Sequence, residues 1–427
     1  MKRNKHELDV FYLLWSTQSL SQLGSALTSF ALTLWLYEKT GLALSAATLT
    51  VCAYAPYVTM SVFAGTLADR LDKRRTMLVC DILAAAGTLL VFVLYKTDML
   101  AAWHLYAISA VNGLMNSVQQ PASEVAYTLI VPKGHYQRTS GLQSLSRSLV
   151  SVGSPLIATT LYGLAGLGAA IAVDLATFAV AFAALALFIK LPSSPETVGA
   201  DYSVREAMGE GLAFLRENHL VRDVILFLSG VNLLASAFDA TLPAYVIPNP
   251  RGGNDMLGVV TACSGAAMLA GSLIATVLPK PKNRVRVIYL SMLISLGIEN
   301  FVLVFSRNPA LWCVAQVVGW VLVPVMSANY DVVVRSTVPV ELQGRVYACR
   351  NTLQYFTIPI GLLLGGFLVD ELFEPHMALC AEGGLMGVLF GAGKGSGAAL
   401  MMFVLGVAGV VYCMGFGARL RKYQFVE

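Results

Sequence analysis

The stretch GTLADRLDKRR, Gly65 to Arg75, places two acids and four bases between two long apolar runs, 44–67 and 76–95. A helix needs about 20 apolar residues to cross a hydrocarbon layer of about 30 Å. Charge gathered where two such runs meet therefore reads as the turn of a transmembrane hairpin. The rest of the chain repeats the pattern, with runs at 11–37, 103–127, 140–162 and 167–188, then at 224–247, 256–278, 287–306, 311–334, 346–369 and 398–416. Of 427 residues, 56% are hydrophobic and 13% charged, and the mean hydropathy is +0.68, more apolar matter than one soluble core can hide. Backbone polar groups in lipid must pair within the chain, so the runs are predicted to be helices. The expected fold is an all-α membrane protein of twelve transmembrane helices in two pseudo-symmetric six-helix bundles, 1–190 and 220–427. A cytoplasmic linker over 191–219 joins them.

An even number of spans puts both termini on one side, and the distribution of Lys and Arg says which. Most of the 29 bases fall at the termini, in the middle linker and in the turns after spans 2, 4, 8 and 10. Both termini are accordingly expected in the cytoplasm. The bases before the first run (MKRNKHELDVFYLLW) do not make a signal peptide, because that run is too long and lacks a small-residue cleavage site. The net charge of +4 follows from the same asymmetry and does not point to nucleic acid. Of seven cysteines only Cys380 falls outside the runs, so no disulfide framework is implied.

The chain also repeats itself weakly. Val131-Pro132 follows span 4 and Val338-Pro339 follows span 10, 207 positions later. Glu124 and Asp331 precede the proline by eight residues, and Arg138 and Arg345 follow it by six. Two halves of like orientation are the parallel-repeat signature of a secondary transporter. In the linker, Ser203 to Asn218 (SVREAMGEGLAFLREN) opens with capping-box spacing and sets Met208, Leu212 and Leu215 on one face. A helix along the membrane surface is expected there, a covalent tether being its simplest role.

GTLADRLDKRRTM resembles the loop motif of the major facilitator superfamily, G-x-L-A-D-R-x-G-R-K-x-x-L, through Gly65, Leu67, Ala68, Asp69, Arg70, Lys73, Arg74 and Met77. Asp72 stands where the family usually has glycine. VPVELQGRVYA, PIGLLLGGFLVD and ELFEPHMALCAEGGLMGVLFGAGKGSG resemble the branch that holds macrolide-efflux proteins and the enterobactin exporter. The resemblance covers the whole chain. It implies a major facilitator fold that exports an amphiphilic small molecule, drug-, macrolide- or siderophore-like, by alternating access. It further implies coupling to protons, a bacterial inner membrane, a monomer and no cofactor. An importer or lipid translocator of the same fold, or a transporter-like receptor that moves nothing, are the alternatives.

The charged turn has a physical reading of its own. Gly65 and Ala68 let helices approach closely, and the Asp69 carboxylate suits the unpaired amides of a helix start. The resemblance points to span 11, which begins near Gly344 and Arg345. A cytoplasmic gate of Gly65, Asp69, Arg70 and Arg74 is the expectation, joined by the pairs Glu124 with Arg138 and Asp331 with Arg345. A plain positive-inside loop explains the bases but not Gly65 and Asp69.

In a facilitator fold spans 1, 4, 7 and 10 line the central cavity, and polar residues recur in them at helical spacing. They are Gln18, Gln22 and Ser25; Asn112, Asn116 and Gln119; Ser229, Asn232, Ser236 and Asp239; and Gln316, Trp320 and Ser327. Span 11 adds Asn351, Gln354 and Tyr355. Amides in a membrane must be partnered or wet, so each stripe predicts either a water-filled substrate path or hydrogen bonds between helices, and the four together favour the path. The expected substrate-binding set is Gln18, Gln22, Asn112, Asn116, Gln119, Asn232, Gln316, Trp320, Asn351 and Gln354. Asp239 is the candidate proton-coupling site, with a structural acid near the outer surface as the alternative. Asp81, Asp174 and Glu299 are expected in packing between helices. Arg147 and Arg350 are expected to pair with Glu124 and Asp331, or to bind an anionic solute.

The family's fifth-span motif G-x-x-x-G-P-x-x-G-G is damaged in SVGSPLIAT, which keeps Pro155 but has Ser154, Ala158 and Thr159 for glycines. Span 11 keeps Pro359, Gly361, Gly365 and Gly366, so a closely packed bend is expected there. Span 1 lacks an acid beside Gly24, where many relatives carry one. GAGKGSG, Gly391 to Gly397, lacks phosphate-loop spacing and reads as an outer loop. Five scattered histidines offer no metal-ligand spacing, and no nucleophile motif occurs, so catalysis is not expected.

Overall fold

The computed structural model describes residues 2–70, 72–131, 136–189, 204–279, 281–306, 308–380 and 384–423, and among them every regular element is a helix. In the first half α1 (Lys2–Thr40), α2 (Ala43–Arg70), α3 (Lys73–Lys96) and α4 (Ala102–Ile130) follow one another through short turns. α5 (Tyr136–Ala183) makes two passes, folding back at Gly166, whose φ of 73° and ψ of −180° suit glycine alone. Asp72 has a local reason to replace the motif's glycine: it is the N-cap of α3, accepting the Arg75 N–H at 2.8 Å.

The second half holds α6 (Val204–Glu217), α7 (His219–Val246), α8 (Asn254–Val277), α9 (Arg284–Phe305) and α10 (Pro309–Thr337). α11 (Val340–Tyr355), α12 (Thr357–Leu368), the short α13 (Glu374–Ala378) and α14 (Leu385–Phe390), and α15 (Ser396–Leu420) follow. Among the described residues nine helical segments are long and apolar enough to cross a membrane, and one of them, Ser146–Phe188, has 43 residues, enough for two passes. With α1 and α4, whose amide stripes lower their hydropathy, these make the twelve passes of an all-α membrane protein.

By its internal contacts the chain divides into two compact units, Met1–Lys39 with Leu49–Asp201, and Thr40–Thr48 with Tyr202–Glu427. The first unit is cored by Phe11, Leu14, Met77, Ala122 and Leu185 near one end and by Ala31, Leu36, Val91, Leu105 and Ile171 near the other. The second has one large core around Val224, Phe227, Ile288, Met292, Val333 and Cys413. The linker helix belongs to that core through Leu215, which is 2% exposed, while Leu212 is 42% exposed. The two leucines expected on one face are thus divided, Leu215 lying in the core where α6 packs against α11 and α7.

Span 11 is broken where Pro359 predicts it. Proline has no N–H for the carbonyl four residues earlier, and the helix stops at Tyr355 and resumes at Thr357. α7 attends to the carbonyls of the broken turn. Ser229 Oγ donates to the Leu353 carbonyl at 3.0 Å, and Asn232 Nδ2 to the Gln354 carbonyl at 3.0 Å. Beyond the break α12 lies hard against α7, since a Cβ on Gly361 would come 2.3 Å from the Leu233 carbonyl and one on Gly365 2.5 Å from that of Ala237. GAGKGSG forms a compact turn in which Gly391, Gly393 and Gly395 have φ of 88°, 85° and 96°. It opens α15, whose first amides at Gly395 and Ala398 donate to Glu374 Oε1 at 2.8 and 3.3 Å.

Candidate functional site: a polar cavity in the first unit

The first unit encloses a cavity of about 600 Å³ between α1, α2, α3, α4 and both limbs of α5. Its walls follow from two close approaches. A Cβ on Gly113 of α4 would come 2.0 Å from the Ala53 carbonyl of α2, and one on Gly24 of α1 2.2 Å from Thr177 Oγ1 of α5. Small residues at these crossings bring backbones together and turn the neighbouring polar side chains inward.

At the Gly24 crossing Ser25 Oγ donates to Asp174 Oδ1 at 3.0 Å. The acid that span 1 lacks is thus supplied by the second limb of α5. Asp174 is 5% exposed and Asp81 of α3 8%, and both line the cavity. Each bonds a neighbouring helix, as a packing acid would, and each also lines the cavity because α3 and the second limb of α5 contribute to its wall. Gln119 Nε2 donates to Asp81 Oδ1. Gln18 lies beside Asp81, and Trp15 Nε1 is buried without a partner in the protein, which marks it as a contact for water or a bound molecule. Tyr54, Tyr57 and Phe178 supply ring surface, and Arg147 a guanidinium. Tyr57 is oriented by donating its hydroxyl to Gln120 Oε1.

Of the first-half residues expected at a substrate site, Gln18, Gln22, Asn116 and Gln119 meet in this cavity. Asn112 does not: it sits at the crossing of α3 and α4, 3.8 Å from where a Gly87 Cβ would lie, with Oδ1 buried. The second-half residues are engaged within their own unit. Asn232 bonds α11 as described, Gln354 Oε1 accepts the Tyr330 hydroxyl at 3.3 Å, and Asn351 Oδ1 accepts two Arg350 N–H groups at 3.0 Å. Gln316 is 1% exposed, and Trp320 contacts Glu299 of α9. Asn232 and Gln354 thus join helices, whereas Asn351 bonds its own neighbour in the chain and Gln316 Nε2 is buried without a partner. Asp239 is exposed on α7.

Of the expected gate, Gly65, Asp69, Arg70, Glu124, Arg138 and Arg345 have side chains outside the described residues. Arg74 is described, and its guanidinium donates to the carbonyls of Leu185 (3.3 Å) and Ala186 (2.6 Å), closing the frayed end of α5's second limb. Asp331 is 3.8 Å from Arg350. Asp223 was not singled out by the sequence. It is fully buried, clamped by Arg419 through two contacts of 2.8 Å and by the Tyr423 hydroxyl at 3.0 Å, and ties the start of α7 to the end of α15.

The family model described as "Transmembrane secretion effector" matches residues 6–393. The chain belongs to this family of major facilitator transporters. Macrolide efflux protein A of Streptococcus pyogenes is 25% identical over 374 residues, 86% of this chain and 91% of that protein. Multidrug efflux pump Tap of Mycolicibacterium fortuitum is 24% identical over 383 residues, 86% and 91% of the two chains. Among solved structures, the nucleoside transporter NupG aligns at TM-score 0.69 with 12% identity, covering 96% of this chain and 99% of that one. A POT family transporter in complex with 5-aminolevulinic acid aligns at 0.70 with 11% identity, 96% of each. These two likenesses speak for the major facilitator fold. The chain is an integral membrane transport protein and not an enzyme.

Proposed function

We propose that this facilitator exports an amphiphilic small molecule, macrolide- or drug-like, from the cytoplasm by alternating access, at the expense of the proton gradient. The observation that carries the reading is the first-unit cavity. At about 600 Å³ it suits a drug-sized solute, and it offers amides, three rings and an indole N–H with few charges. Asp81 and Asp174 accept hydrogen bonds from the neutral donors Gln119 and Ser25 and so add a preference for solutes carrying an amine. Names of relatives, macrolide efflux and multidrug efflux, support the same class. Two six-helix bundles, 1–190 and 220–427, would rock about the site, with Asp239 cycling the proton and the charged turn at Asp69 holding the cytoplasmic side. The base-rich turns support an inner-membrane chain with both termini inside, and we take it to act as a monomer.

Uptake into inverted membrane vesicles tests this. A panel of macrolides and cationic dyes should accumulate when a pH gradient is imposed, and Asp239→Asn should abolish the dependence on the gradient. Accumulation identical in native, variant and empty vesicles under all conditions refutes the reading.

A further inference from the structure

Glu299 lies deep in α9, a helix otherwise apolar between Tyr289 and Phe305 apart from small polar residues and Asn300. A carboxylate at such a place is costly unless something receives it. It is 5% exposed, so it faces neither lipid nor bulk water. What receives it is a gap in α10. A Cβ on Gly319 would stand 2.2 Å from Glu299 Oε2 and 2.7 Å from Oε1, so any other residue there would evict the carboxyl group. Ser295, one turn earlier on α9, donates its hydroxyl to the Gly319 carbonyl and pins the two helices at this level. Trp320 follows Gly319 on α10 beside the carboxyl group, and Oε1 is buried without a partner in the protein. The sequence suggests packing for Glu299, yet packing alone does not call for an acid with an oxygen left unbonded.

The neighbours decide what that oxygen is for. α7 contributes Asp239: Tyr245 of α7 donates its hydroxyl to the Leu303 carbonyl of α9 at 2.8 Å, and Asp239 and Glu299 precede these two residues on their helices by about two turns and about one. α10 contributes Trp320 at this level, its charged residues Asp331 and Arg335 lying three turns on. α15 carries one described charge, Arg419, committed to Asp223, and α14 carries none. Among the described residues no base therefore offsets the two acids. Two carboxyl groups sharing an apolar site do not both ionise; one keeps a proton.

We infer that Glu299 and Asp239 form one proton-binding site in the second unit, with Glu299 as the buried holder and Asp239, the more exposed of the two, as the point of exchange. A proton taken up by the Asp239 carboxylate moves on to Glu299, the O–H bond forming at one carboxyl group as it breaks at the other, and no electron is transferred. The assignment deepens the proton coupling proposed above and rests on that reading for its part in transport, though not for the binding itself.

Infrared difference spectroscopy on the full-length protein in liposomes reads the site directly. Raising the pH should remove a carbonyl stretch of a protonated carboxylic acid. Glu299→Gln, close in shape, should lack that band at every pH while keeping the native melting temperature. Glu299→Asp keeps the acid and should show the band at a changed frequency, which guards against a misfolded Gln variant. Asp239→Asn should retain the band but move the pH at which it disappears. A band unchanged in Glu299→Gln, or a titration unchanged in Asp239→Asn, overturns the inference. Loss of the native band on adding NaCl in place of choline chloride at constant pH also overturns it, because the occupant would then be a metal cation. The spectra need no transport. A titrating band without gradient-driven accumulation defeats the function proposed above and leaves the site standing, and the reverse result defeats the site alone.

Discussion

The Asp370 carboxylate caps the start of α2, accepting the Leu44 N–H at 2.7 Å through Oδ2 and the Ala43 N–H at 3.1 Å through Oδ1. Asp370 sits in a π-turn, Val369–Phe373, that continues α12. Gly366, one turn earlier, would place a Cβ 2.7 Å from the Leu44 Cα, so glycine is what lets the carboxylate reach those amides. This contact is why Thr40–Thr48 groups with the second unit while the rest of α2 groups with the first.

Asp370→Ala should cost about 1 to 2 kcal/mol, the usual worth of a helix cap, and Asp370→Asn about half as much because an amide oxygen still accepts. The melting temperature of the detergent-purified protein measures both. Equal stability of the two variants and the native chain would deny the cap any energetic role.

Charge reversal of roles predicts an asymmetry at Asp223. Arg419→Ala takes the bidentate partner from a carboxylate that is 0% exposed, leaving it Arg222 at 3.2 Å and the Tyr423 hydroxyl, and should cost about 2 to 3 kcal/mol. Asp223→Asn leaves a guanidinium that is 46% exposed and can return to water, so its cost should be nearer 1 kcal/mol. Chemical unfolding of the two variants side by side checks the order, and the reverse order would contradict the clamp.

Gly24→Ala should disturb the cavity from its rim. The added carbon would meet Thr177 Oγ1 at 2.2 Å and the Asp174 backbone at 3.0 Å, an overpacking worth about 1 to 3 kcal/mol and a displacement of the Ser25 to Asp174 hydrogen bond. Gly163→Ala is the control, since nothing lies within 4 Å of a Cβ there, and it should be neutral or stabilising by under about 1 kcal/mol. Thermal stability and vesicle accumulation should fall together for the first variant and hold for the second.

Asn116→Leu, on the cavity wall, should weaken solute binding about tenfold while leaving the melting temperature within about 1 kcal/mol of native stability. Asn112→Leu lies on the same helix outside the cavity and should leave binding unchanged. Dye binding followed by fluorescence polarisation separates them, and equal losses would remove the cavity's claim to the substrate.

Hydropathy decided the fold class, because spanning length and the demand that backbone groups pair in lipid are local properties that any stretch of about 20 residues displays by itself. The Pro359 break in span 11 was legible for the same reason, being a missing N–H four residues from a named carbonyl. Part of the cavity was legible too: Gln18, Gln22, Asn116 and Gln119 stand out as polar positions on otherwise apolar helices.

What the sequence did not contain is which helix each polar stripe would meet. Asn112 and Asn116 differ by one turn, yet one packs against α3 and the other faces the cavity. Asp174 reaches Ser25 across 149 positions of chain because Gly24 admits the α5 backbone, and Glu299 finds its place because α10 carries a glycine opposite it. Such encounters depend on how closely two helices cross and at what rotation, which the packing of the whole bundle decides and no periodicity along one helix can encode.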